Sequence, residues 1–152
     1  MSENHIIMAA TGQSLTRAEK IDGRWGISQV FKKLQINCIV PDTNIPGVVY
    51  LGTQKEGVFV SNDAGRTWQQ SGMQGVPVKS LAIDPQDSKT LYAGGKPVSL
   101  YRSVDGGKTW QELDTLARMK RWWWFSPADP PGISPYVSGL AVSPDNPMVI
   151  LA

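Results

Sequence analysis

Two aspartates of this chain stand in near-identical surroundings. Asp63 lies in Ser61-Asn62-Asp63-Ala64-Gly65-Arg66-Thr67-Trp68, and Asp105 in Ser103-Val104-Asp105-Gly106-Gly107-Lys108-Thr109-Trp110. Such carboxylates can act as acids, bases or metal ligands in a site. They can also accept hydrogen bonds from the backbone N–H groups of a turn, as Asx residues do. The neighbours favour the turn. Gly65 and Gly107 can take backbone conformations that other residues avoid, and Trp68 and Trp110 can pack their rings under a hairpin. The conserved spacing of Ser61, Thr67, Ser103 and Thr109 around them marks both octets as structural locks rather than catalytic groups.

Other chemistry is sparse. The chain has one cysteine, Cys38, and one histidine, His5, so neither an intrachain disulfide nor a Cys/His zinc site can be assembled. Cys38 sits in the apolar run Ile36-Asn37-Cys38-Ile39-Val40 and reads as a buried structural thiol. No cofactor or metal site is implied. The segment Met119-Lys120-Arg121-Trp122-Trp123-Trp124-Phe125, followed by a Pro-rich stretch to Pro135, is the most unusual. Tryptophan faces stack on sugars, take cations and anchor interfaces. Consecutive residues cannot all point inward, so at least one of these rings should meet solvent or a partner.

The elements that position these groups follow from an internal repeat. Val49-Tyr50-Leu51-Gly52-Thr53 aligns with Leu91-Tyr92-Ala93-Gly94-Gly95, and the tryptophans Trp68 and Trp110 then fall at the same distance downstream, a period of 42 residues. An eroded copy begins at Ile7-Met8-Ala9-Ala10-Thr11 and includes Trp25. A later copy begins at Leu140-Ala141-Val142-Ser143-Pro144, after a spacing stretched to 58 residues. Each full copy holds four short apolar runs between turns: residues 78–83, 90–93, 99–103 and 109–113 in the best one. Four antiparallel strands in about 40–45 residues is the signature of a propeller blade. The expected fold is therefore all-β: a single partial β-propeller of three to three and a half blades. Its parts are a partial blade at 5–30, blades at 35–71 and 77–114, an inter-blade insertion at 115–135, and a further blade beginning at 136–152. Residues 113–120 could hold one helical turn. Closed propellers use about four to eight blades, so the expectation is a portion of a longer propeller or a protomer that closes by oligomerising.

The octets resemble the Asp boxes, or BNR repeats, of the sialidase-like propeller superfamily. That superfamily includes sialidases, sortilin-type receptors, xyloglucan-active hydrolases and photosystem II assembly factors. The resemblance covers roughly residues 6–152 and is closest in style to the non-catalytic BNR-repeat proteins. It implies that the boxes lie on the side away from the ligand site. A sialidase would further need three arginines for the substrate carboxylate, a Tyr/Glu nucleophile pair and an acidic proton donor. The Arg-Ile-Pro motif usual near the first blade is absent, its nearest basic residue being Arg17, and Arg118 and Arg121 belong to one loop.

Strand order within a blade sorts the loops onto two faces. One carries Lys32, Lys33, Lys55 with Glu56, Lys79, Lys96, Arg118, Lys120 and Arg121. The other carries Asp42, Asp63, Asp84, Asp87, Asp105 and Asp145, offset in part by Arg66, Lys89 and Lys108. A net charge of only +2 can thus hide a polar molecule that steers anionic partners to one side. The candidate binding residues are Trp122, Trp123, Trp124, Arg121, Lys120, Lys96 and Lys55, toward a protein or glycan partner. The mild charge argues against nucleic acid. Hydrophobic residues at 41% and charged ones at 18% place the chain among folded proteins. No membrane span or secretory signal is legible, so the expected location is cytoplasmic.

Overall fold

The computed structural model describes residues 5–11, 13–114 and 134–152. Three sheets form antiparallel meanders in chain order. The first is β1 (Ile6–Ala10), β2 (Ser14–Ile21) and β3 (Arg24–Lys32). The second is β4 (Ile36–Pro41), β5 (Val49–Thr53), β6 (Val58–Ser61) and β7 (Gln69–Gln70). The third repeats it as β8 (Val78–Asp84), β9 (Asp87–Gly95), β10 (Ser99–Ser103) and β11 (Gln111–Glu112). A fourth sheet pairs β12 (Ala141–Val142) with β13 (Ile150–Leu151). Strand β8 lies beside β4 on one side and β12 on the other. This stack of sequential sheets is a partial β-propeller.

The second strand of each full sheet is buried on both faces, which explains why it reads as a continuous apolar run rather than an alternating one. All of Val49–Thr53 is buried. Because successive side chains point to opposite faces, Leu51 packs toward the first sheet with Leu15 and Ile36. Tyr50 turns the other way and joins Val58, Val78, Leu81, Leu91 and Ala93. Gly52 lets the sheets approach: a Cβ there would stand 2.5 Å from Cys38 Sγ and 2.6 Å from Val78 Cγ1. Cys38 packs against that core, and burial pushes its thiol up to about 12.

The first sheet departs from the repeat at its β2–β3 turn. Where the octets sit elsewhere, it has a two-residue hairpin on Asp22 and Gly23, both at positive φ (49° and 78°), with Ile21 opposite Arg24. Its far face leaves Ile7, Trp25 and Ile27 exposed.

Six hydrogen bonds between successive sheets share one pattern: a side chain of one sheet donates to a main-chain carbonyl of the next. Arg17 Nε reaches Ala64 O (2.7 Å), Asn37 Nδ2 reaches Val78 O (2.8 Å), and Asn44 Nδ2 reaches Pro85 O (2.9 Å). Ser71 Oγ reaches Gly107 O (2.8 Å), Ser80 Oγ reaches Val137 O (2.9 Å), and Gln86 Nε2 reaches Pro144 O (2.8 Å).

Candidate functional site

Meander order brings the β1–β2, β5–β6 and β9–β10 turns to one rim, together with the connections between sheets. Lys55 sits at the tip of the β5–β6 turn. Thr53 Oγ1 closes that turn by donating to Gly57 O (2.8 Å) and accepting from Glu56 N (2.9 Å). The main chain is held from both neighbours: Gln54 N donates to Gln35 O (2.9 Å), and Gly75 N donates to Lys55 O (2.8 Å). A cavity of about 460 Å³ opens here, lined by Gln13, Lys33, Gln35, Gln54, Lys55 and Glu56.

Beside it, the inner strands place a polar cluster. Lys79, at the start of β8, donates from Nζ to Gln54 Oε1 (2.6 Å) and Asn37 Oδ1 (3.4 Å). Its ammonium lies 5.6 Å from the centre of the Tyr136 ring. Lys96, in the β9–β10 turn, lies 5.7 Å from the same centre. Lys96 also lines a second cavity of about 280 Å³ with Pro77, Pro97, Ser99, Tyr101 and Glu112. Among the described residues the ion pairs are Arg17–Glu19 and Arg66–Glu19 alone, so no carboxylate within ion-pair distance neutralises the lysines of this rim.

On the opposite rim the carboxylates of the two octets are closed by their own turns. Asp63 Oδ1 accepts from Ser61 Oγ (2.8 Å), Arg66 N (3.0 Å) and Thr67 N (2.8 Å), while Oδ2 accepts from Thr67 Oγ1 (2.6 Å). Asp105 repeats this with Ser103 Oγ (2.8 Å), Thr109 N (2.9 Å) and Thr109 Oγ1 (2.6 Å). These donors favour the ionised form. Led by the Thr67 hydroxyl, they hold Asp63 well below the usual carboxylate range; led by the Thr109 hydroxyl, they hold Asp105 at about 2. The serine hydroxyls, nearly wholly buried, also accept from Gly65 N (2.8 Å) and Gly107 N (2.9 Å). Each indole folds back on its own turn. Trp68 Nε1 donates to Gly65 O (3.1 Å), and Trp110 Nε1 donates to Gly107 O (2.8 Å) and Ser71 O (2.9 Å). Among the described residues no group of three or more His, Cys, Asp or Glu could hold a metal ion.

Of the residues singled out from sequence, Lys55 and Lys96 thus lie on one rim, at different cavities. Lys120, Arg121, Trp122, Trp123 and Trp124 lie outside the described residues. Arg17 is not on this rim at all. It is buried between the first two sheets, bonded to Ala64 O and to Glu19. Sequence reasoning passed over Asn37, Gln54 and Tyr136. Asn37 could have been found from the repeat, since it stands 42 residues before Lys79 at the same place in the inner strand.

Compared with protein families, the chain matches the Sortilin-Vps10 model (Sortilin, neurotensin receptor 3) over residues 24–137, well over half its length. The chain belongs to the Sortilin-Vps10 family. Among solved structures, this Sortilin-Vps10 chain is similar to a GH74 enzyme from Niastella koreensis, at 19% identity and a TM-score of 0.57. That match covers 95% of this chain and 23% of the enzyme. It is also similar to YCF48 from Cyanidioschyzon merolae, at 19% identity and a TM-score of 0.56, covering 76% of this chain and 38% of that one. YCF48 bound to D1 peptide gives 15% identity and a TM-score of 0.55, covering 77% and 38%. At these identities the likeness shows the fold alone. The chain spans less than two fifths of the length of each of these structures. No curated protein matches it.

Proposed function

We propose that this chain is a non-catalytic Asp-box propeller segment, of the BNR-repeat kind seen in photosystem II assembly factors, that binds a protein or glycan through its lysine-bearing rim. One contrast carries the reading. The carboxylates of the two octets are saturated by their own turns, whereas Lys55, Lys79 and Lys96 have no carboxylate partner among the described residues. Lys120, Arg121, Trp122, Trp123 and Trp124, between β11 and Tyr136 in sequence, are assigned to the same binding function. YCF48, one of the structures with a similar fold, is solved bound to D1 peptide, and that precedent supports a peptide-binding role. A capture assay with the purified chain and cell extract, repeated with Trp122→Ala, Trp123→Ala and Trp124→Ala combined, tests the tryptophans. Loss of the captured partner supports their part in binding, and unchanged capture removes them from it.

The alternative is a fragment of a sialidase-type or other BNR-repeat glycoside hydrolase, which the likeness to GH74 enzymes favours. Outside the sialidase type, such chemistry commonly needs two enzyme carboxyl groups about 5–10 Å apart, flanking the scissile bond. The carboxylates at the cavities of this rim, Glu56 and Glu112, line different ones. Turnover of any member of a fluorogenic sialoside and glycoside panel by the purified chain would overturn the non-catalytic reading.

A further inference from the structure

Lys79, from β8, and Lys96, from the β9–β10 turn, converge on one ring, Tyr136, each within the range at which an aromatic face attracts a cation. The ring draws both ammoniums together although they repel, and among the described residues neither has a carboxylate within ion-pair distance; Glu112, which lines the smaller cavity with Lys96, and Glu56, beside Lys55, are not paired with them. Lys79 is also fixed before any ligand arrives. Gln54 and Asn37 take two of its three N–H donors, leaving one to give. A charge held in place loses less freedom on binding than a mobile one, so its contact counts for more. Gln54 joins this cluster to the larger cavity, where Lys55 stands, and Lys96 joins it to the smaller one. The result is a track in which cations and amides alternate, suited to an elongated ligand.

The aromatic surface discriminates between ligand classes. With two ammoniums over it, Tyr136 offers no clear face on which a sugar could stack. The other exposed aromatic among the described residues, Trp25, stands beside the β2–β3 turn, at the opposite rim. An extended peptide needs no stacking face. Its acidic side chains meet ammoniums, and its main chain meets carboxamides such as Gln54, whose Nε2 donates to none of the described residues.

We infer that this track is a docking site for an extended acidic peptide, with carboxylates seated at Lys79 and Lys96. The inference rests on the binding role proposed above and narrows its ligand. The test is fluorescence anisotropy of the whole chain with a labelled, end-blocked hexaglutamate peptide at low ionic strength, beside hexaglutamine and a sulfated hexasaccharide. Hexaglutamate should bind and hexaglutamine should not. Lys79→Ala and Lys96→Ala should each weaken binding about three- to tenfold, and added salt should weaken it further. Lys79→Arg should keep most of the affinity, and Lys108→Ala on the opposite rim should change nothing. If Lys79→Ala fails to fold by circular dichroism, Lys96→Ala and Tyr136→Ala carry the test. Hexaglutamate binding that is absent, or indifferent to these substitutions, overturns the inference. Should only the saccharide bind through these lysines, the peptide assignment falls while the binding role stands. If neither ligand binds, both fall.

Discussion

Arg66, in the first octet, donates to Glu19 Oε1 of the neighbouring sheet at 2.6 Å. Arg17 holds the other carboxylate oxygen at 2.9 Å. The first sheet has no octet of its own and meets its neighbour's through this charged triad instead. The two arginines differ sharply in setting: the Arg17 side chain is 6% exposed and that of Arg66 is 54% exposed.

That difference predicts unequal effects. Glu19→Gln leaves Arg17 charged and buried without its counter-ion, which is strongly destabilising, and should lower Tm by more than about 5 °C. Arg66→Ala removes a solvent-screened partner and should move Tm by no more than about 2 °C. Thermal melts of both variants decide it, and equal effects would refute the ranking.

Acid should loosen the structure through the same groups. The hydrogen bond from Arg17 leads, followed by that from Arg66, in holding Glu19 below its ordinary value of 4.5. Asp105 is held at about 2 against an ordinary 3.8. A carboxylate whose folded pKa is depressed contributes stability that is complete above the unfolded value and is lost as pH falls through the folded one. Denaturant midpoints should therefore hold steady from neutral pH to about 5 and fall between about 4 and 2. Asp105→Asn should make that fall shallower while lowering the midpoint at pH 7.

Backbone conformation gives a prediction of opposite sign at two matched positions. Ala64 sits at φ 56°, where its counterpart in the second octet is Gly106 at φ 75°. The left-handed region costs an L-residue about 1–2 kcal/mol, partly offset by the entropy a glycine adds to the unfolded chain. Ala64→Gly should stabilise by about 0.5–1 kcal/mol, and Gly106→Ala should destabilise by about 1 kcal/mol, in urea titrations. The hydrogen bonds of Ala64, to Gly47 and from Arg17, are made by its main chain and survive the change.

Gly52→Ala should destabilise by about 1–3 kcal/mol, because the new methyl group would overlap Cys38 and Val78 in a packed interface. Gly94→Ala should behave alike, its neighbours being Ser80 and Val137. A small cost at both would mean that the sheets can separate locally.

The fold was legible because the period of the repeat is carried by residues with fixed structural duties. Tyr50-Leu51-Gly52 and Tyr92-Ala93-Gly94 mark the buried second strands, and the octets mark a turn that local chain geometry lets a carboxylate close. Much of the rim was not legible. Gln54 and Tyr136 are ordinary polar and aromatic residues in sequence, and they gain meaning only when the β5–β6 turn and the segment before β12 come beside the inner strands β4 and β8. The buried role of Arg17 was not legible either, because its partners Glu19 and Ala64 O come into reach only through the β2 register and the neighbouring sheet.

The contacts between sheets have a consequence for how such chains diverge. Donors such as Asn37, Asn44, Ser71, Ser80 and Gln86 land on peptide carbonyls of the next sheet, not on its side chains. A carbonyl is present whatever residue carries it. At these contacts the receiving sheet can therefore drift in sequence without losing its grip on its neighbour, each such bond constraining one partner and not two. An architecture joined in this way can keep its shape while its identity to similar structures falls to 15–19%.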